Sequence, residues 1–183
     1  MAQNTTSVEE LLERVAALEA NSKTFFSQSD VRWILQAAHG IFFMQLGFIL
    51  LEAGSVKAVN VKSIMLKNVL DTTVCGIVWY LWGFYISNHF NDSHDANLDA
   101  HNTEIYSTWL FSMTFASCAT TIVSGGAASR MKTFPHMIIS IVSSGWIYPT
   151  FAYWIWSETG WLHHLGALDF AGGSSVHILG GLG

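Results

Sequence analysis

Four long apolar blocks, at about 33–53, 64–86, 106–129 and 135–156, constrain this chain more than any other feature. Each is close to the roughly 20 residues that an α-helix needs to cross about 30 Å of hydrocarbon. Charge is scarce around them. Asp, Glu, Lys and Arg make up 11% of the residues, against about a quarter in an ordinary soluble domain, while aromatics reach 14% and mean hydropathy is +0.36. An aqueous surface cannot be assembled from that composition, so the expected fold is all-α and polytopic, a bundle of helices in a lipid bilayer. The formal charge of -5 leaves no basic surface for nucleic acid, and Glu9, Glu10, Glu13 and Glu19 gather it in the first twenty residues. Cys75 and Cys118 fall inside apolar blocks and read as small hydrophobes rather than as a disulfide or a metal pair.

Ahead of the first block, "SVEELLERVAALEAN" offers Ser7 as N-cap with Glu10 three residues on, and Val8, Leu11, Val15 and Leu18 at a and d spacing. Residues 1–32 are therefore expected to be a tail holding a short amphipathic helix, which lies on the rest of the protein or joins copies in a small coil. No basic start precedes an apolar core, so no cleaved signal peptide is expected. Gly40, Gly47 and Gly54 recur every seven residues and "SGGAAS" crowds the third block, which predicts close helix approach at those points. Lys57, Lys62 and Lys67 flank the first connection and Arg130 and Lys132 the third, whereas 87–105 and 157–168 contain no Lys or Arg. That distribution predicts a cytoplasmic first and third connection and an outer N-terminus. Sequons at Asn4 and Asn91 then fall on the outer side.

A further helix is expected to begin near Gly172 or Ser174. With about 11 residues before Gly183 it reaches roughly 16 Å, too short to cross, so the chain is expected to be the first part of a longer protein. Several residues in and near these helices carry chemistry. Phe111 and Phe115 are four apart and share one helix face, which suits packing or an apolar gate. Trp156 closes the fourth block, where a tryptophan serves an interfacial belt or a cation-attracting mouth. Asp169 precedes a Gly-Gly bend and can accept backbone N–H groups at the start of the next helix. Eight residues further on, about 12 Å along a helix, His177 is too far to bond it directly. An imidazole inside a membrane helix is either a satisfied core residue or a group facing a pathway.

The segments "FFMQLGFILLEAGSVKAVN", "IMLKNVLD", "GWIYPTFAYWIWSETGW" and "LDFAGGSSVHILGG" closely resemble the ammonium transporter family, Amt, with its methylammonium-permease and Rhesus relatives. The resemblance runs from about residue 33 to the end. It departs from the family at the third connection, where Ala128, Ser129 and Arg130 stand in place of the common Ala-Glu-Arg. It implies a homotrimer of eleven-helix subunits built from two inverted halves, of which this chain supplies most of the first. It further implies that Trp156 and Phe115 form an outer cation site, that Phe111 and Phe115 form a gate, and that Asp169 supports the site. His177 is implied to be the first of two pore histidines. The implied cargo is ammonium or ammonia, with methylammonium as an analogue. The expected setting is the plasma membrane, with a cytoplasmic regulator as a partner class and no cofactor or metal.

Two other functions are compatible with parts of this pattern. An ammonium sensor on the same scaffold would add a cytoplasmic signalling domain after the last helix. An intramembrane metalloenzyme would use His163 and His164, but the chain lacks further histidine boxes, and the expectation is a non-enzyme. His89, His94 and His101 share a loop with Asp92, Asp95 and Asp99 at a spacing that fits no metal motif, and a solvated loop is expected there.

Overall fold

The structure, a computed structural model, describes residues 8–88 and 103–183. The Ser7 cap, both sequons, and His89, His94 and His101 lie outside the described residues. The first element is α1 (Val8–Ser55), one helix of 48 residues. It is continuous because Glu, Leu, Arg and Ala dominate its start and neither Gly nor Pro interrupts it before Gly40. Tail helix and first membrane helix are thus one rod, and residue 32 lies within it.

A short 3₁₀ turn (Ala58–Asn60) leads to α2 (Val61–Val78), which continues through a π-turn (Trp79–Gly83) into α3 (Phe84–Asn88). Next come α4 (Thr103–Ala127) and α5 (Thr133–Val142), the latter continuing through a π-turn (Ser143–Ile147) into α6 (Tyr148–Trp156). The one-turn α7 (Trp161–His164) follows. A third π-turn (Gly173–Ile178) then opens α8 (Leu179–Leu182). Among the described residues, four stretches are long and apolar enough to span a membrane: Gln28–Ser55, Ala58–Ser87, Ile105–Ala127 and Thr133–His164.

Helix α4 is the centre of the bundle, with α1, α2, α5 and α8 packed on it. Small side chains make this possible: Ala116, Ser117, Cys118, Ala119, Thr120 and Thr121 are all buried. Thr120 and Thr121 hydroxyls donate back to Ala116 O and Ser117 O, both at 2.9 Å, so these two buried hydroxyls are satisfied within the helix. Thr121 also donates to Gln45 Oε1 at 2.9 Å, tying α4 to α1. The two π-turns within the second and fourth spans face each other, and Trp82 Nε1 donates to Gly145 O at 3.1 Å. A Cβ at Gly145 would lie 2.6 Å from that indole nitrogen, so the close approach needs glycine there.

The close approach expected at Gly40, Gly47 and Gly54 does not occur within this chain, since a Cβ at any of them would meet open space. The reason is phase. Buried Ala38 and Gln45 lie on the opposite face of α1, and that face meets α4. Lys67 also differs from expectation. It is a buried residue whose Nζ donates to Ala128 O at 2.6 Å and Met131 O at 2.5 Å, closing the carbonyl end of α4. A cation suits the negative end of that helix dipole. The same bonds place the first and third connections at one end of the bundle, where Lys57, Lys62, Arg130 and Lys132 are exposed. Lys67→Met should strip both carbonyls of their donor and lower stability by about 1 to 3 kcal/mol. Thermal unfolding of detergent-solubilised protein, with Lys62→Met as the exposed control, measures it.

Candidate functional site

Three aromatic rings lead inward from one end of the bundle. Phe111 and Phe115, one turn apart on α4, meet edge to face with centroids 4.9 Å apart at 72°. Phe115 in turn meets Trp156, at the end of α6, with centroids 5.8 Å apart at 77°. Trp156 stays 39% exposed, so its ring is open to approach. Its Nε1 donates to Asp169 O at 2.8 Å, which fixes the indole's tilt. Beside it lies a cavity of about 130 Å³ lined by Trp79, Thr108, Ser112, Tyr148 and Ser157.

The Asp169 side chain organises the next helix. Its Oδ1 accepts Gly173 N–H at 2.8 Å, and Oδ2 accepts Ser174 N–H at 3.0 Å and Ser175 N–H at 2.8 Å. The Ser174 and Ser175 hydroxyls donate to Oδ2 at 2.7 and 2.9 Å. Partial burial works against its charge, but the bonds from Ser175 and Ser174 outweigh that and hold the carboxyl well below the usual carboxylate range. Gly172 precedes this turn with φ +82, and a Cβ there would sit 2.9 Å from Val176 Cγ2 and 3.2 Å from the Phe115 ring. Glycine is required on both counts.

His177 lies in the π-turn that Asp169 caps, and its N–H reaches Gly172 O at 3.1 Å. Its side chain is exposed and, among the described residues, its ring has no hydrogen-bond partner. Gly172 abuts Phe115 and Gly180 abuts Ala119 and Ile122, so His177 sits at a level of α4 just beyond the phenylalanine pair. The five residues singled out in the sequence are thus brought together beside the middle of α4. His163 and His164 are exposed with ring centroids 6.4 Å apart. Among the described residues, no group of three or more His, Cys, Asp or Glu side chains is placed to hold a metal ion.

Sequence reasoning missed a second polar set at the other end of the bundle. Asp71 Oδ2 meets His136 Nε2 at 2.9 Å and its Oδ1 accepts the Ser140 hydroxyl, all three groups being buried between α2 and α5. Glu52 Oε2 accepts Asn68 Nδ2 at 2.7 Å. The available signal was the spacing of Lys67, Asn68 and Asp71, which puts three polar side chains on one face inside an apolar block.

This arrangement defines a class: a polytopic helical membrane protein in which a chain of three aromatic rings lies near an exposed histidine. A profile of the Ammonium Transporter Family matches residues 32–183, and the chain belongs to that family. It is 40% identical over 157 residues to ammonium transporter 3 of Dictyostelium discoideum, covering 84% of this chain and 36% of that protein. It is 35% identical over 169 residues to ammonium transporter Amt2 of Archaeoglobus fulgidus, covering 83% and 36%. Among solved structures it is similar to a sensor Amt protein, with a TM-score of 0.78 and 34% identity over 86% of this chain and 43% of that one. The chain spans a little over a third of the length of these curated relatives.

A depressed carboxyl contributes stability above its unfolded pKa and loses it as pH falls through the folded value. Asp169 should therefore stay charged and bonded well below the ordinary aspartate range of about pH 4, while its contribution to stability is full above that pH and declines below it. Asp169→Asn should cost about 1 to 3 kcal/mol near neutral pH, through lost bonds to a charged acceptor. The unfolding curves of variant and parent should begin to converge as pH falls below about 4, as read by tryptophan fluorescence in detergent.

Proposed function

We propose that this chain forms most of the N-terminal half of a transporter that carries ammonium or ammonia across a membrane. The observation that carries this reading is the unbroken contact from Trp156 through Phe115 to Phe111, set over a helix start that presents His177. A π-face within about 6 Å attracts a partly dehydrated cation by roughly 0.5 to 2 kcal/mol, so Trp156 and Phe115 serve as an outer ammonium site. The Asp169 carboxylate holds the surrounding main chain and adds a negative charge nearby. Phe111 and Phe115 close the path to water as an apolar gate.

Ammonium gives up its proton near that gate and passes onward as ammonia. The proton moves separately or along histidines. Neutral imidazole both donates and accepts, so the exposed His177 ring bonds a second histidine supplied by the rest of the protein. In this reading residues 1–32 form an outer tail, the Lys57, Lys62, Arg130 and Lys132 end faces the cytoplasm, and the protein is a plasma-membrane homotrimer. A cytoplasmic regulator would meet that basic end. A sensor on the same scaffold is the second reading, favoured by the similarity to the sensor Amt protein. A signalling domain after the last membrane helix distinguishes it.

In the full-length protein, His177→Ala should reduce ammonium uptake or change its charge selectivity while trimer yield stays at the parental level. Uptake and current measured together with yield decide the matter: unchanged transport removes His177 from the mechanism, and failed assembly alone makes it structural. For orientation, cysteines placed at Lys62 and Lys132 should be protected from impermeant reagent in intact cells, and one placed at Asn91 should be labelled.

A further inference from the structure

The α4 face that bears the phenylalanine pair continues toward a second acidic group. Phe111, Phe115, Ile122 and Gly125 fall within an arc of about 80° on α4, and Gly125 lies about 15 Å along the axis from Phe115. Against Gly125 sits the Glu52 carboxylate, whose Oε1 would be 3.0 Å from a Cβ at that position. The missing side chain is what lets a carboxylate reach α4. Around it is a cleft of about 360 Å³ whose lining includes Glu52, Ser55, Thr121, Ile122, Gly125 and Ser129. Ser55 and Ser129 are exposed, so this cleft opens at the end of the bundle opposite Trp156.

Three observations show that no cationic side chain bonds Glu52 directly. Its hydrogen bond comes from a neutral amide, Asn68 Nδ2. Among the described residues no Lys or Arg nitrogen lies within 4.0 Å of it. The charged groups that act on it from a distance make their hydrogen bonds elsewhere: the Lys67 ammonium to the carbonyls of Ala128 and Met131, and Asp71 to His136 and Ser140. Asn68, 2% exposed, also keeps an unpartnered Oδ1 beside this group. A half-buried carboxylate is costly to keep charged unless a cation joins it. The Ser55, Thr121 and Ser129 hydroxyls that line the cleft suit a small monovalent cation that donates several hydrogen bonds.

We infer that Glu52 forms a second ammonium site, at the end of the path opposite Trp156. This inference rests on the transport reading and adds to it a binding step on the far side. A cation held there would balance Glu52 as it enters or leaves the path, and the affinity of that side would be set by one carboxylate.

Sided transport tests it. Full-length protein in right-side-out vesicles loaded with a pH-sensitive dye is given ammonium gradients of either direction. Glu52→Gln keeps an oxygen for Asn68 and removes the charge. The apparent affinity for ammonium on the Glu52 side should weaken about fivefold or more, and that on the Trp156 side should change less than twofold. Equal change on both sides, or none on either, overturns the inference. If Glu52→Gln does not assemble, Gly125→Ala decides, because its methyl presses on the carboxylate without removing it. Weaker affinity on the Glu52 side alone supports the site, and parental behaviour overturns it. A parent that moves no ammonium in either direction overturns the transport reading instead.

Discussion

The five hydrogen bonds on the Asp169 carboxylate are the interaction on which the candidate site depends. A helix start leaves backbone N–H groups without partners, and within a membrane protein water does not reliably supply them. Asp169 satisfies those of Gly173, Ser174 and Ser175 with one side chain, while its own carbonyl holds the Trp156 indole. One residue therefore sets the direction of the helix bearing His177 and the tilt of the ring at the mouth. Gly172 completes the arrangement, because only a residue without a side chain can take its backbone angle while lying against Phe115.

The rest of the bundle turns on α4. Its small, hydroxylated residues let α1, α2 and α5 come close, and the hydroxyls of Thr120, Thr121 and Ser124 bond back to carbonyls of their own helix, with Thr121 also reaching Gln45 on α1. Its ends differ in chemistry. Toward Trp156 the neighbours are aromatic, and toward Ala127 they are Lys67, Glu52, Asn68 and the Asp71–His136 pair. A polar group buried among apolar helices is stable only when bonded, which is why Asp71, His136 and Ser140 are found together and not singly.

Spans and connections were legible from the sequence because crossing hydrocarbon demands some 20 apolar residues wherever they occur. Other features were not. The heptad spacing of glycines in α1 suggested contact, but periodicity says only which residues share a face, and this face points away from α4. Lys67 resembled a flanking charge because a sequence does not reveal that two carbonyls from the third connection lie within its reach. Phe111 and Phe115 could be placed together from their spacing alone, whereas Trp156, 41 residues after Phe115, could be joined to them only through resemblance.

What the sequence determined by itself is the solvent, the secondary structure and the family, since all three follow from local composition and order. Hydropathy needs no partner to be read. Tertiary structure alone decided which faces meet: that Asp169 binds the turn ahead of His177, that Glu52 reaches α4 through the gap at Gly125, and that Asp71 finds His136. Those pairings join residues from separate helices or across a tight turn, and their geometry depends on how far each helix is rotated about its axis. That rotation is set by packing and by the need to bond most buried polar groups, not by any one segment.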